Sequence, residues 1–320
     1  MKLSLQSQRL STSYIVKLVL SIAATIYLLI SVNLDEQHIR ELFGGSTYRT
    51  IPTGVLLCIV VLMPLNWYVE ALKWRKLQVH AHTLTLRESV EGVLMGIPVT
   101  WFTPNGIASF LGRMWRVKQE QRELAVASTI VGNLAQLLTT LIFGLIGGFV
   151  VVTQQPLLDG TIYVPVIAGA MLLGITWFLA NLSTVLPKLM NSFRYFRDKP
   201  HVVNAIQGLN RKTLAVALGY SCTRYLIFSL QMWLLLVYLG GLTDANVIHV
   251  ALISVYYLIK AGWPTIMLGE VGAKGVILQS LFGTDLLEAS YVLIPFILWL
   301  LNTIVPGVVG LALLYKARVS

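Results

Sequence analysis

Six blocks of mostly apolar residues, at 14–32, 51–69, 124–152, 162–182, 214–239 and 291–315, limit what this chain can fold into more than any other feature. An α-helix rises about 1.5 Å per residue, so about 20 such residues cross the roughly 30 Å hydrocarbon core of a bilayer. In hydrocarbon every backbone N–H and C=O must find a partner within the protein, and a helix supplies those partners locally. The chain therefore reads as an all-α polytopic integral membrane protein, one transmembrane domain over 1–320 with no soluble domain. Hydrophobic residues make up 56% of the sequence and charged residues 12%, which leaves only short stretches for water.

The first block follows Lys2 and Arg9 and imitates a signal peptide, but its apolar run is too long and no small-x-small cleavage site follows it. It is expected to remain as a span. Cys58 and Cys222 both lie inside apolar blocks, so they are read as packing residues and offer neither a disulfide framework nor a thiolate metal site.

Net charge is +10. With the amino terminus inside and each block crossing once, Lys2, Arg9, Lys17, the bases from Lys73 to Arg122, those from Lys188 to Lys212, and Lys316 with Arg318 fall on the cytoplasmic side. Those are 19 of the 24 basic residues. The opposite side keeps Arg40 and Arg49 among Asp35, Glu36, Glu41, Asp159, Asp244, Asp285 and Glu288. This asymmetry sets orientation in membrane proteins. The basic excess is thus assigned to topology, with both termini cytoplasmic, and no nucleic-acid partner is expected. The segment KLMNSFRYFRDK at 188–199 mixes bases with aromatics and suits an anionic interface, as a topology anchor or as a lipid contact.

Two further apolar stretches are broken by glycine and proline. Residues 88–117 carry Gly96, Pro98, Pro104 and Gly106 between charged ends. Proline removes a helix donor, so this stretch is expected to form two half-helices of about 10 residues, a hairpin near 89–113 entering from and returning to the inside. The stretch near 247–283 has Pro264, Gly269 and Gly272 at its centre and acidic flanks, and is expected to open outward. One or two full spans are the alternative there. Taken as hairpins, they divide the chain near 154–160 into a first half at 1–153 and an inverted second half at 161–320. Broken helices at matching positions of inverted halves mark the binding site of many transporters.

Charges inside apolar blocks need partners or cargo. Arg224 lies about ten residues into its block, where a base costs about 3 kcal/mol on insertion scales. Lys260, Glu270 and Lys274 flank the second tip, and with Arg224 they are expected to form a net positive site for a phosphate. At the first hairpin the polar candidates are Glu91, Asn105, Arg113 and Arg116, the two arginines also suiting an interfacial anchor. Asn133 and Gln136 suit either the same cavity or helix–helix hydrogen bonding.

Enzyme signatures are missing from the sequence. There is no HExxH, the Gly219–Ser221 pair continues into Cys222 and makes no nucleophile elbow, and His80 and His82 lack acidic or thiol neighbours. No glycine-rich phosphate loop occurs. The expectation is a non-enzyme with no catalytic residue, no metal and no cofactor, any transport being driven by a gradient.

The segments TPNGIASFLGR at 103–113, GNLAQLLTTLIFGLIG at 132–147 and WPTIMLGEVGAKG at 263–275 carry a resemblance. Over nearly the whole chain the sequence resembles the transmembrane, flippase-like domain of the lysylphosphatidylglycerol synthase family. Two positions depart from the family pattern: the acidic position of the first hairpin is Ala108 or Ser109, and the basic position after its proline is Gly106. The resemblance implies a bacterial cytoplasmic-membrane protein with membrane lipids as partners. It implies movement of an aminoacylated phospholipid, another anionic lipid or a polyprenyl-phosphate lipid between leaflets. No aminoacyl-transferase region follows the last block, so lipid aminoacylation is not expected. A secondary transporter of a small anion or solute is the alternative on the same scaffold. A non-transporting membrane partner of a cell-envelope enzyme is the alternative from another class.

Overall fold

The computed structural model describes residues 51–78, 84–101, 109–154, 211–242, 246–263 and 269–319, with Ile26 and scattered positions at 169–204. Apart from isolated positions, the blocks at 14–32 and 162–182 lie outside the described residues. So do Pro104, Asn105, Gly106, Pro264, His80 and His82.

Among the described residues every regular element is helical. In chain order they are α1 (Thr53–Leu77), α2 (Leu86–Thr100), α3 (Ser109–Arg113), α4 (Arg122–Gln154), α5 (Arg211–Tyr238), α6 (Val247–Gly262), α7 (Glu270–Phe282), α8 (Ser290–Trp299) and α9 (Val305–Val319). Two 3-10 turns join α3 to α4, and one π-helical turn, Leu300–Ile304, joins α8 to α9 without a break. Four stretches among the described residues are long and apolar enough to cross a membrane: Thr53–Leu77, Gln119–Gln154, Arg211–Tyr238 and Ser290–Ala317. The protein is an α-helical membrane protein.

The other helices are shorter. At the helical rise α2, α6 and α7 reach about 22, 24 and 20 Å, less than the hydrocarbon thickness. Local chemistry starts two of them. Thr85 accepts from the Glu88 N–H while the Glu88 carboxylate takes the Thr85 N–H, a capping box that begins α2. Asn246 accepts from the Ile248 and His249 N–H groups and begins α6. At the far end of α7, Gly283 takes the positive φ, 52°, that L side chains avoid.

Three of the glycine and proline positions expected at the breaks, Gly96, Pro98 and Gly272, lie inside helices. Helix α2 runs through Gly96 and Pro98 to Thr100, so neither residue forms a tip. Pro98 cannot donate to the Leu94 carbonyl four residues earlier. The backbone of α9 covers that carbonyl instead: a Cβ on Gly310 would collide with it and lie 3.0 Å from Pro98 Cδ. Likewise Gly272 sits within the first turn of α7, while α6 ends at Gly262 and α7 starts at Glu270. One glycine costs a helix only about 1 kcal/mol relative to alanine, too little to stop it.

Small residues set the packing. Arms α2 and α3 meet backbone to backbone, since a Cβ on Gly112 would strike the Met95 carbonyl and one on Gly96 would come 2.7 Å from the Ser109 carbonyl. Helix α6 lies along α4, where Gly144 faces Leu258 and Gly147 faces the Ala251 carbonyl. Helix α2 lies along α9, and α1 along α5. The largest apolar core joins α5, α6, α7 and α8 through Met232, Leu235, Tyr256, Leu278, Phe282 and Ile294. Leu57, Leu226 and Val308 are exposed, as a lipid-facing surface requires, whereas Asn66, Glu70, Lys73, Arg113 and Gln231 are buried.

Candidate functional site

Helix α1 continues eight residues beyond the apolar block that encodes it. Its last turns read EALKWRKL with no helix breaker, and the spacing of Asn66, Glu70, Lys73 and Leu77 puts them on one buried stripe. Glu70 is 1% exposed and Lys73 is 0% exposed. A carboxylate at such a place needs several donors.

Three bases supply them. Lys73 Nζ lies 2.8 Å from Glu70 Oε2, one turn along the same helix. Arg113, at the end of α3, donates from Nη2 to Glu70 Oε1 at 2.9 Å. Arg224, from the middle of α5, donates through Nη1 to Glu70 Oε2. One carboxylate thus faces three cations, and the first hairpin is bound through it to two spanning helices.

The rest of the shell consists of neutral groups. Arg224 Nε donates to Asn66 Oδ1 at 2.8 Å, and its guanidinium stands 5.4 Å from the centre of the Trp67 ring. Arg113 stands 5.6 Å from the Trp74 ring. Lys73 also donates to the Gly132 carbonyl at 3.1 Å and to Ser221 Oγ at 3.4 Å. Arg113 is 5% exposed, yet its Nε is buried with no partner among the described residues. Such a group carries an unmet donor next to a region already rich in positive charge. The arrangement suits an anion of more than one oxygen, since guanidinium groups offer paired donors in a plane.

The structure divides the residues singled out from the sequence into three groups. Arg224 and Arg113 come together at Glu70, a residue the sequence reading passed over. Lys260, Glu270 and Lys274 form a separate group on the second hairpin, in which Lys274 Nζ lies 2.7 Å from Glu270 Oε1. Of the joint site expected for Arg224 with Lys260 and Lys274, the described contacts show Glu70 as the ion-pair partner of Arg224 and Glu270 as that of Lys274. Glu91 and Arg116 form a third pair at 2.6 Å, with Arg87 on the other oxygen of Glu91 at 2.9 Å. Gln136 donates to the Ser221 carbonyl at 3.4 Å and accepts from Arg224 at 3.5 Å, while Asn133 is exposed. Cys222 is half-buried, but Cys58 is exposed and does not pack inside.

A second polar junction sits two turns along α5 from Arg224, on the same face toward α1. Gln231, 0% exposed, donates to the Ile59 carbonyl at 2.8 Å and accepts from Asn302 Nδ2 at 2.7 Å. Asn302 lies in the π-helical turn, so the irregular turn places an amide where it ties the last span to α5 and, through Gln231, to α1. Gln231→Leu is expected to lower stability by about 1–3 kcal/mol, the cost of leaving a buried amide and carbonyl unpaired. Unfolding of the purified protein in maltoside micelles measures it, and parent-like stability would show that the junction carries no weight.

Comparison with known protein families, with curated proteins and with solved structures finds no match.

Proposed function

We propose that this chain moves an anionic lipid between membrane leaflets, its head group engaging Arg113 and Arg224 at the Glu70 group. The observation that carries the reading is one carboxylate, 1% exposed, shared by three bases at the root of a helical hairpin. Charges of this kind inside a membrane helix are expensive, and in transport proteins they lie on cargo pathways. The excess positive charge selects for an anionic group, and Glu70 holds the bases together when that group is away. The resemblance to the flippase-like domain of lysylphosphatidylglycerol synthases supports the same class of cargo, an aminoacylated phospholipid, another anionic phospholipid or a polyprenyl-phosphate lipid.

The topology that goes with this reading is a pair of inverted halves with both termini on the cytoplasmic face of a bacterial inner membrane. Its support is the reciprocal packing of α2 on α9 and α6 on α4, in which the leading arm of each hairpin lies on the last helix of the other half. In this reading the chain is a transporter and not an enzyme.

Reconstitution tests the proposal. Proteoliposomes carrying fluorescent phosphatidylglycerol or phosphatidylcholine in both leaflets are quenched from outside with dithionite. The parent is expected to expose the phosphatidylglycerol pool well beyond protein-free vesicles, and Arg224→Gln and Arg113→Gln to lose about tenfold or more of that rate, the effect of one charge-assisted hydrogen bond. Equal rates for parent and both variants, with all three folded, would reject the site. Accumulation of free phosphate without lipid movement would move the function to a small-anion transporter.

A further inference from the structure

The second hairpin carries a charge imbalance of its own. Lys260 stands near the end of α6, while Glu270 and Lys274 stand on the first turns of α7. Glu270 and Lys274 are paired at 2.7 Å, with side chains 19% and 13% exposed. Lys260 lies within electrostatic range of both but makes no ion pair of its own among the described residues. Two bases and one acid leave one positive charge unbalanced.

Two further donors stand around Glu270. Tyr256, one turn before Lys260 on α6, is 1% exposed, and its hydroxyl is buried with no hydrogen-bond partner among the described residues. That hydroxyl also lies within electrostatic range of Glu270. Helix α7 starts at Glu270 with no side chain among the described residues capping its first turn, where N–H groups lack partners within their own helix. An ammonium, a phenolic hydroxyl and an uncapped helix start all offer hydrogens, and among the described residues the nearby carboxylate, Glu270, is shared with Lys274.

We infer that Lys260, Tyr256 and the start of α7 form a second binding site, separate from the Glu70 group, for a singly charged oxyanion such as a phosphodiester or a carboxylate. One negative charge brings the group to neutrality. Its oxygens accept from the Lys260 ammonium, from the Tyr256 hydroxyl and from first-turn N–H groups of α7. Glu270 is held by Lys274 through Oε1, and its single negative charge cannot neutralise both lysines. The inference does not rest on lipid movement: it concerns binding on the other hairpin and is read without any transport assay.

Hydrogen–deuterium exchange of the full chain in maltoside micelles tests it, following the peptides that cover 256–275. Dimethyl phosphate is the soluble probe, and phosphatidylglycerol doped into the micelles is the lipid probe. Either is expected to slow exchange at the start of α7 in the parent and equally in Arg87→Gln, a charge-matched change on the exposed end of a surface pair. Lys260→Gln is expected to weaken the half-saturating concentration about tenfold or more, and Tyr256→Phe by severalfold, in line with one charged and one neutral donor lost. Tyr256→Phe keeps the ring and its packing, so it remains informative should Lys260→Gln fail to fold. Protection by dimethyl phosphate identifies a soluble anion as ligand, and protection by phosphatidylglycerol alone identifies a lipid head group. Either supports the site. Absence of protection with both probes, or protection unchanged in Lys260→Gln and in Tyr256→Phe, overturns it.

Discussion

Glu70→Gln is expected to be among the most damaging single substitutions in the chain, lowering stability by about 3–5 kcal/mol. The amide keeps the shape of the side chain and removes the one negative charge that Lys73, Arg113 and Arg224 share. Three bases would then face one another with hydrocarbon-depth helices around them. Removing a base together with the acid relieves part of that repulsion, so Glu70→Gln combined with Arg224→Gln is expected to be more stable than Glu70→Gln alone. Thermal unfolding in maltoside micelles decides the matter. A double variant that loses the sum of the two single losses would show that the charges are solvated and do not act as a group.

Gly112→Ala is the second large effect, expected to cost about 3 kcal/mol, the upper end of the overpacking range. The added methyl would be driven into the Met95 carbonyl and come 2.6 Å from Gly96 Cα, and both obstacles are backbone. A flexible side chain could rotate away; two helix backbones in contact must separate. Separation of α2 from α3 also withdraws Arg113 from Glu70, so the loss should appear both as lowered melting and as proteolytic cleavage at the first hairpin. Gly148→Ala is the matched control. Nothing lies within 4 Å of a Cβ at Gly148 in α4, and alanine there should be neutral or stabilising by up to about 1 kcal/mol. Equal behaviour of the two variants would mean that the hairpin arms are not packed this closely.

The membrane class and four of the spans were legible because an uninterrupted apolar run in lipid has no alternative to helix. The blocks at 51–69, 124–152, 214–239 and 291–315 return as α1, α4, α5 and the α8–α9 helix, each a few residues longer than its apolar core. Those extra residues are where reading by hydropathy fails. The first of these blocks ends at Val69, so Glu70 falls just outside it, although the helical spacing from Asn66 through Glu70 to Lys73 is a usable signal. Lys73 and Arg113 were counted among cytoplasmic bases, yet they are 0% and 5% exposed. Arg224 stood out because an arginine in mid-span demands a partner. That partner lies 154 residues away in sequence, and no local pattern names it. At the hairpins, proline and glycine were read as stops. Pro98 proved compatible with helix because tertiary packing covers the carbonyl it releases, a compensation supplied by Gly310 more than 200 residues later.

That compensation has a kinematic consequence. Gly310 meets the Leu94 carbonyl where no Cβ fits, so sliding α9 along α2 would drive a residue with a side chain, such as Val309 or Leu311, against that backbone. Helices α2 and α9 are therefore coupled along their common axis like two links pinned together. Any rearrangement that carries the first hairpin through the membrane must carry the end of the chain with it, and the compliance for such a stroke has to come from joints other than this one.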